Sequence, residues 1–397
     1  MEFPMAIQTD GEKEAEVGNA YPHIRVFSVG KGTTSKIPLP DLQSVEQPWS
    51  VAGKDTLYQP TKEWSYFSAV CWFFGKHVSD GLDNKVPIGL ISNNWGGTKV
   101  ELWQPKGELF NAMIHPYFVG PMSLTGFAWY QGEANAGSQA SADEYAQHFP
   151  TMIEEWRIGF RSPEAYFGFI LLSTWCLNKN PVSAAELRQA QLKALDLPGK
   201  IGYASNADHG AGCNVHPPDK RYCAARLGNS ALALQYGQPV AWRSPTYSRA
   251  SLNWETVQHE GGTSSIPQVT IEFNDVSDQG LYLLENPYNN RLDPSNFNCA
   301  AQLEGTCAWP MVLLNDDRGW VNATLKLENN GQTVTMEPSS SSSSNTRSVL
   351  RSWQRQGSLD QDDATILATS YGWGSVPMLS LYDRATDLPV LGWHEKL

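Results

Sequence analysis

Up to about residue 237, short apolar runs alternate with amphipathic segments, the pattern of parallel strands with helices packed on both faces. The predicted strands are His23 to Val29, Pro87 to Ile91, Leu124 to Tyr130, Tyr166 to Leu172 and Lys200 to Ala204. All but the first are near-continuously apolar, as strands covered on both faces are. Between them, Trp64 to Val78, Asp143 to Trp156, Ala184 to Leu195 and Lys220 to Tyr236 carry apolar residues at three- and four-residue spacing and are predicted helices. Pro198-Gly199 stops the third of these. Beyond Gln238-Pro239 the texture changes to alternating segments such as Val269 to Phe273 and Ala323 to Leu327, broken by Gly, Asn and Asp. The expectation is an α/β domain over 1–238 and a β-rich companion over 239–397. The serine tract Ser339 to Ser344 buries no apolar area and is expected to be loop.

Composition narrows the function classes. With 397 residues, 41% hydrophobic and 11% aromatic, the chain has material for two cores. A net charge of -12, from 41 acidic against 29 basic residues with no long basic run, gives a nucleic-acid backbone nothing to bind. No stretch approaches the roughly 18 apolar residues of a membrane span. Asp10, Glu12, Glu14 and Glu16 stand where an apolar signal core would lie, so the chain as written shows no secretion signal. Cys299 and Cys307, eight apart in a polar stretch, could form a disulfide, and Asn322-Ala323-Thr324 is a glycosylation sequon. Cys71, between Val70 and Trp72, reads as a small buried hydrophobe.

In an open parallel sheet the ligand crevice lies beyond the carboxyl ends of the strands. Three strand-following segments there carry candidate chemistry. Ser92 to Thr98 contains Trp95-Gly96-Gly97, where paired glycines leave backbone N–H groups open, as an oxyanion site needs; a plain tight turn would look the same. Gln131-Gly132-Glu133-Ala134-Asn135 sets an amide donor two residues from a carboxylate, able to stabilise an oxyanion and to orient a histidine or bind a sugar hydroxyl. Ser205 to Lys220 is a long loop in which His216 is fixed by Pro217-Pro218, a rigid mount for a base. A zinc reading of His209, Cys213, His216 and Cys223 has spacings of four, three and seven, which match no common zinc pattern, so no metal or other cofactor is expected.

Trp95-Gly96-Gly97-Thr98, Trp129 to Asn135 and His216-Pro217-Pro218-Asp219-Lys220 together resemble the sialate O-acetylesterase family, a branch of the SGNH hydrolases. The likeness extends through Phe67 to Lys76, Leu109 to Pro116 and the terminal Leu381-Tyr382-Asp383. The resemblance implies an SGNH-hydrolase (flavodoxin-like) three-layer core with a parallel sheet, an acetylated sugar such as a sialoglycan as substrate, and a secreted or lysosomal setting. It implies His216 as base, Gly96, Gly97 and Gln131 as oxyanion donors, and Trp95 and Asn135 as substrate contacts. Many SGNH enzymes place an aspartate three residues before the histidine; here Cys213 stands there, leaving Asp208, in the same loop, and Glu133 as candidates to orient His216. The family's nucleophilic serine lies in a Gly-Gln-Ser-Asn-Met segment, commonly continuing Glu-Phe-Pro, and this chain opens Met1-Glu2-Phe3-Pro4. That register puts the serine two residues before Met1, together with a central first strand whose absence would leave its neighbours' backbone edges unpaired. An inactive carbohydrate-binding homologue and an esterase for another acetylated sugar are the rival readings.

Overall fold

The computed structural model describes the chain except residues 63, 65, 121, 177–179, 260–261, 288–296, 316–317 and 340–364. All of the serine tract but Ser339 therefore lies outside the described residues. The chain divides into two compact units, Met1–Arg243 and Ser244–Leu397.

The first unit contains helices α1 (Gly11–Val17), α2 (Lys54–Leu57), α3 (Ala69–Gly81), α4 (His115–Val119), α5 (Gln139–Gly159), α6 (Ser183–Leu192) and α7 (Arg221–Tyr236). Its strands are β1 (Ile24–Val29), β2 (Val45–Val51), β3 (Ile88–Ser92), β4 (Gly126–Trp129), β5 (Tyr166–Ile170) and β6 (Ile201–Ala204). The α/β alternation is as expected from the apolar runs. Helix α3 starts later than its periodicity predicts: Trp64 has a left-handed φ of 63°, and the Ser68 side chain accepts from Cys71 N at 3.2 Å as the N-cap. Helix α7 stops at Gly237, whose φ of 68° suits glycine.

Strand β5 shows how both faces are covered. Phe167 and Phe169 meet Phe149 of α5 with ring centres 5.9 and 5.4 Å apart. Tyr166 turns to the other face, where its hydroxyl lies 2.6 Å from Ser230 Oγ of α7. The period-two alternation of one strand thus sets a helix on each side.

The sheet differs from a single continuous one. Strands order as β2-β1-β3 and, separately, β4-β5-β6; β1 is parallel to β3, and β4, β5 and β6 are mutually parallel. Among the described residues β3 and β4 each keep one edge without a strand partner. Both edges border one cavity of about 1090 Å³, lined by Ile88 to Ile91 on one side and Gly126 to Trp129 on the other. The antiparallel edge strand β2 has no apolar run to betray it: it is mostly exposed and contains Pro48.

The second unit is β-rich, as expected. It holds β7 (Thr246–His259), β8 (Gly262–Asn274), β9 (Leu281–Leu283), β10 (Cys307–Ala308), β11 (Met311–Leu314), β12 (Trp320–Glu328), β13 (Thr333–Pro338), β14 (Ile366–Tyr371), β15 (Val376–Pro377), β16 (Leu381–Asp383) and β17 (Trp393–Lys396). Seven of them form an antiparallel sheet in the order β17-β14-β11-β12-β13-β8-β7. Val269, Ile271, Val312, Val334 and Met336 build its core, and Tyr371 stacks on Trp393 at 4.7 Å. Cys299 and Cys307 are joined as a disulfide.

Candidate active site

The ends of β3, β4 and β6 deliver the three segments to one crevice, and Trp95, Gly96, Gly97, Gln131, Glu133 and His216 all line the cavity. After β3, Thr98 Oγ1 donates to Trp95 O at 2.6 Å, closing a tight turn, and Asn93 Nδ2 donates to Met113 O at 2.7 Å, anchoring its start. Gly97 takes a φ of 73° and a Cβ there would meet nothing within 4 Å. The Gly96 N–H donates to the Glu2 carboxylate, and Glu2 in turn pairs with Lys31. That N–H is thus engaged by a carboxylate of the same chain and would serve an oxyanion only on release from Glu2.

The segment after β4 is spent differently from the sequence expectation. Gln131 Nε2 donates to Thr98 O at 3.0 Å and to Asn135 Oδ1 at 2.9 Å, so both amide hydrogens are engaged, while its Oε1 is buried without a hydrogen-bond partner. Asn135 is buried; its Oδ1 also accepts from Val100 N at 3.0 Å and its Nδ2 donates to Glu101 Oε2 at 3.0 Å. Gln131 and Asn135 therefore tie the Gly96-Gly97 turn to β4, and both hydrogens of the Gln131 amide are spent there. Short amide side chains in a loop signal hydrogen bonding in the sequence, but not with whom. Gly132 makes the connection possible: its φ is 152°, and an added Cβ would stand 2.5 Å from Leu187 Cδ2. Glu133, opening a single 3₁₀ turn, is half-buried at the cavity wall.

After β6 the loop divides its labour. Asp208 is fully buried and its two oxygens take Arg226 Nη1 and Nη2 at 2.7 and 2.8 Å. His209 stacks on Tyr222 at 3.8 Å. Asp208, one of the two candidates to orient His216, is thus committed to Arg226, and Glu133 is the carboxylate whose charge acts on the His216 ring. The reason is local: Arg226 comes from α7, a neighbour that sequence spacing does not reveal.

His216 stands at the crevice mouth with its ring 5.2 Å from that of Trp64. Partial removal from water pushes its pKa below the ordinary histidine value; Glu133 opposes this, while Lys220 and the Met1 amino group reinforce it. A histidine in this state is neutral near pH 7 and can accept a proton.

Two residues gained no role from the sequence. Lys220 is only 2% exposed, its ammonium 4.5 Å from the Phe3 ring centre and 5.3 Å from that of Tyr130. Burial lowers its pKa to about 8. Cys176, beyond β5, is bonded to Cys213; the signal available was that both cysteines follow predicted strands at the same end of the sheet. The metal reading finds no assembled ligand set, since Cys213 is in a disulfide and the buried Cys223 thiol donates to Lys220 O at 3.4 Å. Among the described residues no group of three potential ligands occurs.

A crevice at the carboxyl ends of parallel strands, with His216 and the Gly96-Gly97 turn in its lining, is the usual ligand site of an α/β domain. Comparison with known proteins makes this specific. Residues 38–216 match the family described as carbohydrate esterase, sialic acid-specific acetylesterase; the match ends on His216. The chain is 32% identical to a sialate O-acetylesterase of Pongo abelii over 274 residues, 55% of this chain and 48% of that protein. It is 30% identical to one of Rattus norvegicus over 299 residues, 58% and 53% of the two. The chain spans about half the length of these curated relatives. A carbohydrate acetylesterase from Xanthomonas citri superposes with a TM-score of 0.72 at 25% identity, covering 100% of this chain and 78% of that one. Over residues 38–216 the chain is thus similar to the sialic acid-specific acetylesterases among the carbohydrate esterases. No helix among the described residues is long and apolar enough to cross a membrane.

Proposed function

We propose that the α/β unit removes O-acetyl groups from sugars, sialic acids in particular, with His216 as general base. The observation that supports the reading is that His216 and the Gly96-Gly97 turn line one cavity, within the segment that matches the esterase family. A seryl hydroxyl attacks the acetyl carbonyl as His216 takes its proton, and the tetrahedral oxyanion is held by backbone N–H groups of Gly96 and Gly97. His216 then returns the proton to the departing sugar hydroxyl, and water, activated the same way, releases acetate. Glu133 supplies the negative charge that steadies the imidazolium formed in each step. Trp64 and Trp95 at the mouth offer ring faces to the sugar. The disulfides fit a secreted or lysosomal setting.

The test is acetate release from 9-O-acetylated N-acetylneuraminic acid by the full-length gene product and by its His216→Ala variant. The variant should lose nearly all turnover while unfolding at the same temperature. Comparable rates for the two would remove His216 from the chemistry.

A further inference from the structure

His216 sits on a loop with little regular structure of its own. Between the 3₁₀ turn at Ala207–His209 and α7, the local bonds include a turn, Asn214 N to Ala211 O at 2.9 Å, and the His216 N–H, donated to Asn214 Oδ1 at 2.9 Å. Both ends of the loop are fixed. Asp208 is clamped by Arg226, and Pro218 O accepts from Thr9 N at 2.9 Å. Gly210 packs so closely on Thr174 that an added Cβ would stand 2.2 Å from its Oγ1. In the middle, three residues before His216, Cys213 is bonded to Cys176, with Cα atoms 4.6 Å apart. Cys176 lies just past β5, on the neighbouring strand end.

We propose that the Cys176–Cys213 disulfide is the clasp that positions His216 over the crevice, and that opening it by a dithiol withdraws the base from the site. The clasp joins two adjacent strand ends covalently where a hydrogen-bonded carboxylate three residues before the histidine could do the same work noncovalently. It rests on the reading of His216 as base. Opening follows ordinary exchange: one reductant thiolate attacks a disulfide sulfur, the second displaces the remaining cysteine, and the reductant closes to its own disulfide. Two electrons pass to the pair, and each released thiolate takes up a proton.

The experiment compares the full-length gene product with its Cys176→Ala/Cys213→Ala double variant, and with Cys299→Ser/Cys307→Ser as a control. Acetyl-ester turnover and backbone hydrogen exchange of residues 209–218 are both measured. The 176/213 variant should lose at least tenfold in kcat with KM within twofold, and its loop amides should exchange faster; the control should change neither. Unchanged kcat and exchange in the 176/213 variant would overturn the proposal. Where that variant does not fold, dithiothreitol titration of the native protein decides, with the opened bonds identified by alkylation and mass spectrometry. Activity should fall in step with opening of Cys176–Cys213, and activity indifferent to that bond overturns the clasp. If the unaltered protein shows no esterase activity, the functional reading falls while the exchange comparison still judges the clasp.

Discussion

Asp208 and Arg226 meet end to end, each carboxylate oxygen facing one terminal nitrogen at 2.7 and 2.8 Å. Arg226 Nη1 also reaches Ser205 O and Oγ, both at 3.1 Å. Burial alone would push the Asp208 carboxyl up, but the guanidinium outweighs it and holds the group below the usual carboxylate range. The pair pins the loop after β6, which carries His216, to α7.

Replacing Asp208 by Asn should therefore damage stability before chemistry. Breaking a buried pair on one side strands the other charge and costs about 3–5 kcal/mol. The sign of the pH effect follows from the lowered folded value. The stabilisation is present above the unfolded carboxyl value near 3.9 and is lost as pH falls through the lower folded one. Chemical denaturation should show a large loss for Asp208→Asn at pH 7 that narrows toward pH 3. A variant as stable as its parent at pH 7 would contradict the clamp.

Glu133 acts on the His216 ring through its charge, and with His216 as the proposed base that effect is read in the rate. Because the His216 pKa lies below the ordinary value, the acid limb of kcat/KM should fall below about pH 6.5. Glu133 is the group that raises it, so Glu133→Gln should shift that limb to still lower pH. It should also slow turnover, because the imidazolium formed in each step loses the charge that steadies it. An upward shift of the limb would mean that another carboxylate governs the histidine.

Much of this was legible in the sequence. Near-continuous apolar runs gave β3 to β6, because a strand covered on both faces leaves no polar alternation to misread. The three strand-end segments were found for the same reason: polar and glycine-rich residues directly after apolar strands point to the crevice. What escaped was partnership. Gln131 carries an amide donor in any reading, but only the fold shows Thr98 O and Asn135 Oδ1 taking both hydrogens. Asp208 shares a loop with His216, yet Arg226 lies 18 residues away on α7. The separation of β3 from β4 was not legible in the apolar runs, which mark all of these strands alike.

That separation has its own observable. In the 397-residue chain the backbone N–H groups on the facing edges of β3 and β4 border a cavity, while those of β5 are paired on both sides. Amides along the free edges open to solvent without breaking a ladder and should exchange orders of magnitude faster than those of β5. Hydrogen exchange resolved to Ile88–Ser92, Gly126–Trp129 and Tyr166–Ile170 reads this directly. Equal protection of β4 and β5 would show that the β4 edge is covered.

Lys220 supplies the last prediction. Its ammonium is buried against the rings of Phe3 and Tyr130, and among the described residues no carboxylate lies within ion-pair distance of it. The rings return part of the lost hydration, but not all, which is why its pKa falls to about 8. Between pH 8 and the unfolded lysine value near 10.4 the unfolded chain holds a proton that the folded one has released, so stability rises with pH across that window. Below pH 8 the full cost of the buried charge is present. Lys220→Met keeps the volume and removes the charge, so it should stabilise the unit at pH 7 by on the order of 1–3 kcal/mol, with the gain shrinking toward pH 10. Urea unfolding at pH 7 and pH 10 measures both numbers. A variant less stable than its parent at pH 7 would mean that ring contacts outweigh desolvation, and the lysine would then be a structural anchor instead of a stability cost kept at the site.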